Sequence, residues 1–399
     1  MVDAKSSASY GCILFATADW DEPYWTNKQH SARALAELGI QVLYVESVGL
    51  RTPMARSPRD WRRLRDRMIK GISSMLFGAQ ERSPDVRVMS PLTIPGGHRN
   101  QFVRKINHWL LNLSLQRSLR GRLADNPVIW TYHPFMLGAI DGILSATLLY
   151  HCVDDLGAVP GVDAGAFREA EDVLLRRADV VFATAPALAE RCKSINANTH
   201  FLPNVVDVDH FAVGLLPGSL PDDLASIPEP RLGYHGVLSD YKIDFQLLLD
   251  IARLRPVWQF VFIGEEREGQ KNHLVAELQK LSNVHFLGYR PYQILPEYLR
   301  GISVGLLPSL LTEYTRSMFP MKYFEYIAAG IPIVSTALDF SRSTAHGIVV
   351  ADNVEAFVSG IEDQLCRGRL SSDEIADFIG DNTWKCRTSL MLKSLGERR

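Results

Sequence analysis

The chain lacks any cysteine pair with the spacing of a zinc site or a redox motif: Cys12, Cys152, Cys192, Cys366 and Cys386 are an odd set of five, widely scattered. Buried free thiols in a reducing compartment are therefore expected, and no disulfide framework. No run of about 18 apolar residues occurs, so no membrane-spanning helix is expected. Met1 to Tyr10 has neither the basic start nor the apolar stretch of a secretory signal, which points to a cytoplasmic protein, at most resting on a membrane. A net charge of -2 gives no whole-molecule attraction to nucleic acid, and no binding module accompanies the local basic stretches.

What is present is the composition of a globular protein: 46% hydrophobic and 22% charged residues over 399 positions, too long for one ordinary core. Short apolar runs alternate with longer amphipathic ones. That alternation predicts an α/β protein with parallel sheets covered by helices. In the first half, strands are expected at Cys12 to Thr17, Gln41 to Glu46, Val86 to Ser90, Val128 to Tyr132, Leu148 to Val153, Val180 to Ala183 and His200 to Leu202. After a linker from Leu215 to Pro230, rich in proline, aspartate and serine, the pattern restarts. Strands are then expected at Arg231 to Tyr234, Gln259 to Ile263, Val284 to Phe286, Val304 to Leu307, Ile333 to Ser335 and Ile348 to Val350. A last helical stretch runs from about Ser371 to Leu395.

Neither first strand is followed by G-x-G-x-x-G; the first reads Ala16-Thr17-Ala18-Asp19-Trp20 and the second Gly233-Tyr234-His235-Gly236-Val237-Leu238. A nicotinamide cofactor is not expected. The most informative stretch is instead Pro320 to Ser335, which reads PMKYFEYIAAGIPIVS. A proline at the start, a glycine stop at Gly330 and an apolar run after it predict a short helix feeding a strand. Lys322 and Glu325, at i and i+3, share one helical face. Free N-H groups at such a helix start attract phosphate, and an ionised carboxylate can accept from two ribose hydroxyls. The alternative is a core helix with solvated charges.

This segment resembles the donor-binding helix of GT-B glycosyltransferases that build bacterial surface polysaccharides, with the pattern P-x-K-x-x-E-Y-x-A-x-G-x-P-x-V. Leu202-Pro203-Asn204-Val205-Val206-Asp207, followed by Phe211, resembles the family's P-N-G-V-D-x-x-x-F signature, with Val205 in place of its usual glycine. The similarity is sharp only over these short segments, and is greatest to teichuronic-acid and exopolysaccharide transferases. It implies a GT-B fold: two Rossmann-like domains whose parallel sheets face across an interdomain cleft. The expected division is 1–205 for the acceptor domain and 206–370 for the nucleotide-sugar domain, with 371–399 as a helix crossing back to the first.

The resemblance also assigns the donor site. Gly236 and Val237 match the family's G-x-L turn at the pyrophosphate, and Tyr289 and Arg290 the loop whose backbone holds the nucleobase. Met321, Lys322 and Glu325 lie on the key helix, and either Arg316 or Lys322 neutralises the leaving diphosphate. The donor expected from family habit is a UDP-sugar. In Tyr150-His151-Cys152-Val153-Asp154-Asp155, the first carboxylate matches the catalytic aspartate of an inverting glucuronosyltransferase of xanthan synthesis. Asp154 is the expected general base, with Asp155 capping the next helix or orienting a loop, since adjacent strand-end residues point in opposite directions. The alternative is that both merely cap and solvate. Many retaining members carry a second glutamate eight residues before Glu325, where this chain has Ser317; that departure favours inversion. Asp207 and Asp209 are better explained by turn formation than by metal binding, so no metal cofactor is expected.

The first loop, from Asp19 to His30, is dense in aromatic and polar groups, and Asn27 and His30 are candidate acceptor contacts, His30 being equally a core histidine. Between Arg51 and Phe77, and again between Phe102 and Leu123, arginines accompany apolar residues at helical spacing. Trp61, Arg62, Arg63 and Trp109 are candidate contacts with an anionic membrane, the alternative being ordinary solvated helices. The expected function is transfer of a sugar from a nucleotide diphosphate to a hydroxyl of a lipid-linked or polysaccharide acceptor, at the inner face of the cell membrane. A UDP-sugar 2-epimerase of the same fold, or a non-catalytic nucleotide-binding subunit, are the other readings.

Overall fold

The computed structural model describes residues 9–47, 58–94, 101–141, 143, 146–266, 272–343 and 346–396, and the side chains of 58–64, 101 and 104 are outside that description. Two compact units emerge. The first comprises the described residues of Met1–Ala183, Leu188–Phe201 and Thr388–Arg399, the second Thr184–Ala187 and Leu202–Arg387.

The first unit is built on an eight-stranded sheet: β1 (Tyr10–Phe15), β2 (Val42–Val45), β3 (Gln80–Ser83), β4 (Val86–Met89), β5 (Leu123–Thr131), β6 (Thr147–Cys152), β7 (Val180–Ala183) and β8 (Thr199–Phe201), in the order β3-β4-β2-β1-β5-β6-β7-β8. Its central strands are buried on both faces, which is why they read as unbroken apolar runs without alternation. Only β3 runs antiparallel to its neighbour. It has no expected counterpart because Gln80–Ser83 is polar and largely exposed, with no hydrophobic pattern to betray an edge strand.

The second sheet contains β9 (Arg231–His235), β10 (Gln259–Ile263), β11 (Val284–Phe286), β12 (Val304–Leu307), β13 (Ile333–Thr336) and β14 (Ile348–Ala351), all parallel. Its order, β11-β10-β9-β12-β13-β14, runs outward in two directions from the β9–β12 pair. In doubly wound sheets the crevice at the carboxyl ends of such a pair is where ligands settle. The Met321–Ala328 helix joins β12 to β13, so its start falls at that end.

One expectation needs correction. The stretch from Ser371 to Leu395 is two helices, Ser372–Ile379 and Trp384–Gly396. Between them Asn382 accepts a backbone hydrogen bond from Val206 (3.1 Å) and Thr383 bridges to Val206, so the backbone turns to pair with another segment instead of continuing the helix. The linker from Leu215 to Pro230 carries structure of its own. It holds the turn Asp222–Ala225, with Leu224 fully buried and Ile227 in the core.

The Met321–Ala328 helix is anchored along its length. Tyr326 lies against Gly305 of β12, where a Cβ would come within 2.7 Å of the ring, and its hydroxyl donates to the Gly233 carbonyl (2.9 Å). The Tyr323 hydroxyl donates to the His346 carbonyl and accepts from the His346 N-H, both at 2.8 Å. At the far end Arg369 donates to the carbonyls of Ala329 (2.8 Å), Ile302 (3.1 Å) and Leu299 (3.2 Å). One guanidinium thus gathers carbonyls at two helix ends, where a cation is also favoured by the helix dipole.

Val205 stands where the signature that this stretch resembles has glycine. Val205 is buried, and Asp85 is the one non-glycine residue with positive φ among the described residues, so an L side chain fits at 205 without strain. Asn204 donates to the Phe319 carbonyl, just ahead of the key helix. Asp207 caps Val208–Ala212 by accepting from the His210 N-H (3.3 Å), the turn role expected for it.

Candidate nucleotide site in the second unit

At the end of β9 the chain turns at Gly236, whose φ of +106° lies in the region that only glycine adopts readily. The backbone is crowded as well. A Cβ at Gly264, after β10, would stand 1.9 Å from the Gly236 carbonyl oxygen, and the Gly236 N-H donates to Ile263 (2.8 Å). Two glycines therefore bring two strand ends together, as a backbone that closely approaches a ligand requires.

Over this turn lies Lys322. Its ammonium sits 5.1 Å from the Tyr234 ring centroid, and a Cβ built on Gly236 would be 2.9 Å from its Nζ. One turn further along the helix, Glu325 is 8% exposed. Burial raises its carboxyl to a pKa of about 7, with Lys322 pulling the other way. Its Oε2 is 3.4 Å from Nε2 of His235, the last residue of β9. Burial first, and Lys322 second, push His235 well below its usual pKa, so the imidazole is neutral and the contact is not an ion pair. In the sequence His235 is one residue of the Gly233 to Leu238 run, with no role assigned to it. The signal was a polar residue at a strand end, visible only once the helix is laid beside it.

The remaining donor candidates are placed as follows. Val237 accepts through its carbonyl from the Tyr234 hydroxyl (3.3 Å), which ties the turn to its own strand. Met321 is half-buried in the first turn of the key helix. Arg316 is exposed at the end of Glu313–Arg316 and has no ion-pair partner among the described residues. Tyr289 and Arg290 follow Gly288 after β11. The Arg290 guanidinium donates to the Tyr298 hydroxyl (2.6 Å), to Asp223 (2.5 Å) and to the Tyr289 carbonyl (2.9 Å). Its side chain thus shapes its own loop, which suits a role played there by backbone.

In the first unit, Asp154 is half-buried two residues past β6, and its carbonyl accepts from the Leu156 N-H (3.0 Å). Asp155 occupies the cap position of the Leu156–Ala158 turn, yet its carboxylate makes no cap bond. It accepts twice from Arg168 instead (2.6 and 2.7 Å). Arg168 also donates to the buried Glu171 (3.2 Å), which accepts from the Tyr150 hydroxyl (2.6 Å) and from Arg191. Of the two roles expected for Asp155, the loop-orienting one is the one its contacts fit.

Asn27 and His30 are 6% and 3% exposed on the Asn27–Glu37 helix. The Asn27 carbonyl accepts from Tyr132 (3.2 Å), and His30 meets Trp25 edge-on at 5.2 Å. Trp20 is likewise buried, against Trp25 and Tyr44. The aromatic richness of this loop is thus spent largely on packing within the unit. Of the membrane candidates, Trp61, Arg62 and Arg63 lie outside the described side chains, and Trp109 is 63% exposed.

Comparison with known proteins bears on both units. Residues 229–366 match the family described as Glycosyl transferases group 1. TuaH of Bacillus subtilis (strain 168), whose name places it as a glycosyltransferase of teichuronic acid biosynthesis, is 29% identical over 246 residues. That alignment covers 57% of this chain and 59% of the relative. Among solved structures, sucrose-phosphate synthase from Thermosynechococcus elongatus superposes with a TM-score of 0.66 at 15% identity, covering 98% of both chains. HepE from Anabaena, solved with UDP-glucose, gives 0.62 at 15% identity, covering 96% of this chain and 99% of its own.

Proposed function

Residues 229–366 are a Glycosyl transferases group 1 domain within a GT-B fold, and from that premise we propose that the protein is a glycosyltransferase that takes its sugar from a nucleotide diphosphate. The observation that carries the reading is Glu325, a carboxylate buried beside Lys322 above the Gly236 turn, at the carboxyl ends of the β9–β12 pair. A buried carboxylate with so few partners is costly in a purely structural role. Vicinal ribose hydroxyls would satisfy it, while Lys322 and the N-H groups that open the helix meet the diphosphate. HepE, of the same fold, is solved with UDP-glucose, which supports a UDP-sugar as donor.

In the reaction so assigned, the acceptor hydroxyl oxygen forms a bond to the anomeric carbon as the bond from that carbon to the diphosphate oxygen breaks. The electron pair leaves with the diphosphate, where Lys322 and the exposed Arg316 offset the growing charge. The hydroxyl proton goes to Asp154, and one displacement inverts the anomeric centre. No metal is assigned a part. Hydrolysis or transfer assayed over a panel of nucleotide sugars tests this: release of free nucleoside diphosphate is expected with at least one of them.

The acceptor assigned is lipid-linked, presented at the inner face of a membrane that the protein meets peripherally. Support comes from an unusual exposed face in the first unit. On the Pro58–Phe77 helix, Met68, Ile69, Ile72 and Leu76 are 40% to 56% exposed at spacings that share one side, and Phe77, at the helix end, is 76% exposed. On the Gln101–Leu119 helix packed beside it, Phe102, Trp109 and Leu113 do the same at 71%, 63% and 39%. Arg65, Lys105 and Arg117 are exposed on the same two helices. An apolar face with basic neighbours suits an anionic bilayer, and no described helix is long and apolar enough to cross one.

A further inference from the structure

His235 ends β9 with its ring 4% exposed and Nε2 without a hydrogen-bond partner of ordinary geometry. Buried polar atoms are seldom left so, and each one asks for a reason. The nearest acceptor is Oε2 of Glu325, at 3.4 Å. The ring is held for this approach: it meets the Tyr326 ring edge-on at 5.0 Å and 84°, and Tyr326 is fixed in turn by its bond to the Gly233 carbonyl. The titratable and charged groups about it are Glu325, Lys322 and Tyr326 from the key helix and Tyr234 from its own strand.

We propose that His235 is a positioning residue for the nucleoside: as the neutral tautomer with the proton on Nε2, it donates to Oε2 of Glu325 and so leaves Oε1 to the ribose hydroxyls. This deepens the nucleotide reading above and rests on it. The physical reason is that an unrestrained glutamate turns about three side-chain bonds, and a ligand must otherwise meet the cost of ordering them. A hydrogen bond from a rigid ring meets that cost in advance. As Glu325 ionises, the contact becomes charge-assisted and tightens. The neutral state of the ring matters, because an imidazolium there would form an ion pair with Glu325 and compete with the hydroxyls for it. Lys322, close to both groups, disfavours that charge.

The test uses the full chain with histidines labelled by nitrogen-15, the His235 signals being assigned by their loss in His235→Phe. The expected result is the neutral Nε2-H tautomer near pH 7, with a shift that changes in Glu325→Gln. A proton on Nδ1, or an imidazolium, overturns the proposal without touching the nucleotide reading. Calorimetry with UDP, GDP and ADP supplies the second arm. His235→Phe, which keeps the ring and loses the donor, is expected to bind the preferred nucleotide roughly tenfold more weakly, and His235→Gln, which restores a donor, to recover most of the loss. Weakened binding in Glu325→Gln alone, with both His235 variants unchanged, also removes the proposal. If the unaltered protein binds none of the three, the nucleotide reading falls and takes this inference with it.

Discussion

Gly264 and Gly236 touch so closely that a methyl group on the first would overlap the carbonyl oxygen of the second, at 1.9 Å. Backbone cannot yield as a side chain can. Gly264→Ala should therefore push the β9 turn out of place, lowering stability by about 3 kcal/mol and abolishing nucleotide binding in whatever fraction still folds. Urea unfolding and calorimetry on the same preparation check both halves of this. An unaltered midpoint would contradict so close a crossing of the two glycines.

Arg369 supplies a second test of the frame. Burial holds its guanidinium below its usual pKa, yet it donates to backbone carbonyls from two helix ends. Arg369→Met should take the guanidinium donor from those carbonyls and cost on the order of 3 kcal/mol, read as a drop in the denaturant midpoint. Because the Met321–Ala328 helix loses its terminal anchor, nucleotide affinity should fall as well.

Much of this frame was legible in the sequence. The strands β10 and β12 fall where apolar runs bounded by turn residues put them, because parallel strands buried on both faces have no room for polar alternation. The helix from Met321 announced itself by proline before, glycine after and a charged pair on one face. What the sequence hid were relationships between distant segments. His235 is unremarked until Glu325 is laid beside it, ninety positions later, and Arg369 reads as a surface charge until Ala329 and Leu299 present their carbonyls. Asp155 looked equally able to cap a turn, and only Arg168, thirteen residues on, decides that its carboxylate is used elsewhere.

The pH dependence of Glu325 has a definite sign. Its carboxyl is raised from 4.5 to about 7 in the folded protein, so the native state holds a proton that the unfolded chain has already lost over that interval. Stability should accordingly fall as pH rises from about 4.5 to about 7, by on the order of 3 kcal/mol for this group. Glu325→Gln cannot ionise and should gain on the unaltered protein as pH increases through that window. Melting temperatures of the two at about pH 5 and pH 8 check this. Nucleotide binding should run the opposite way, strengthening as the carboxylate forms.

Asp154→Asn should keep nucleotide affinity and lose sugar transfer by about a hundredfold or more, as expected when a general base is removed. Product release under single-turnover conditions is the measure. Near-normal transfer by a variant that binds donor would take the proton-accepting role from Asp154.

Flotation on vesicles tests the exposed helix faces. The protein should rise with vesicles containing anionic lipid and much less with neutral ones, and Phe77→Ser combined with Trp109→Ser should reduce the bound fraction severalfold. Equal behaviour on both kinds of vesicle would remove the membrane contact, leaving the donor site untouched.

The central claim is that Glu325 grips a nucleoside. Titration of the unaltered chain and of Glu325→Gln with UDP, UDP-glucose and the corresponding guanine and adenine compounds, by calorimetry at about pH 7.5, tests it most directly. Measurable binding of one nucleotide series, weakened at least tenfold in the variant, is the result expected from a carboxylate that accepts ribose hydroxyls. Equal affinity in the two proteins, or no heat from either with any of these compounds, would contradict it.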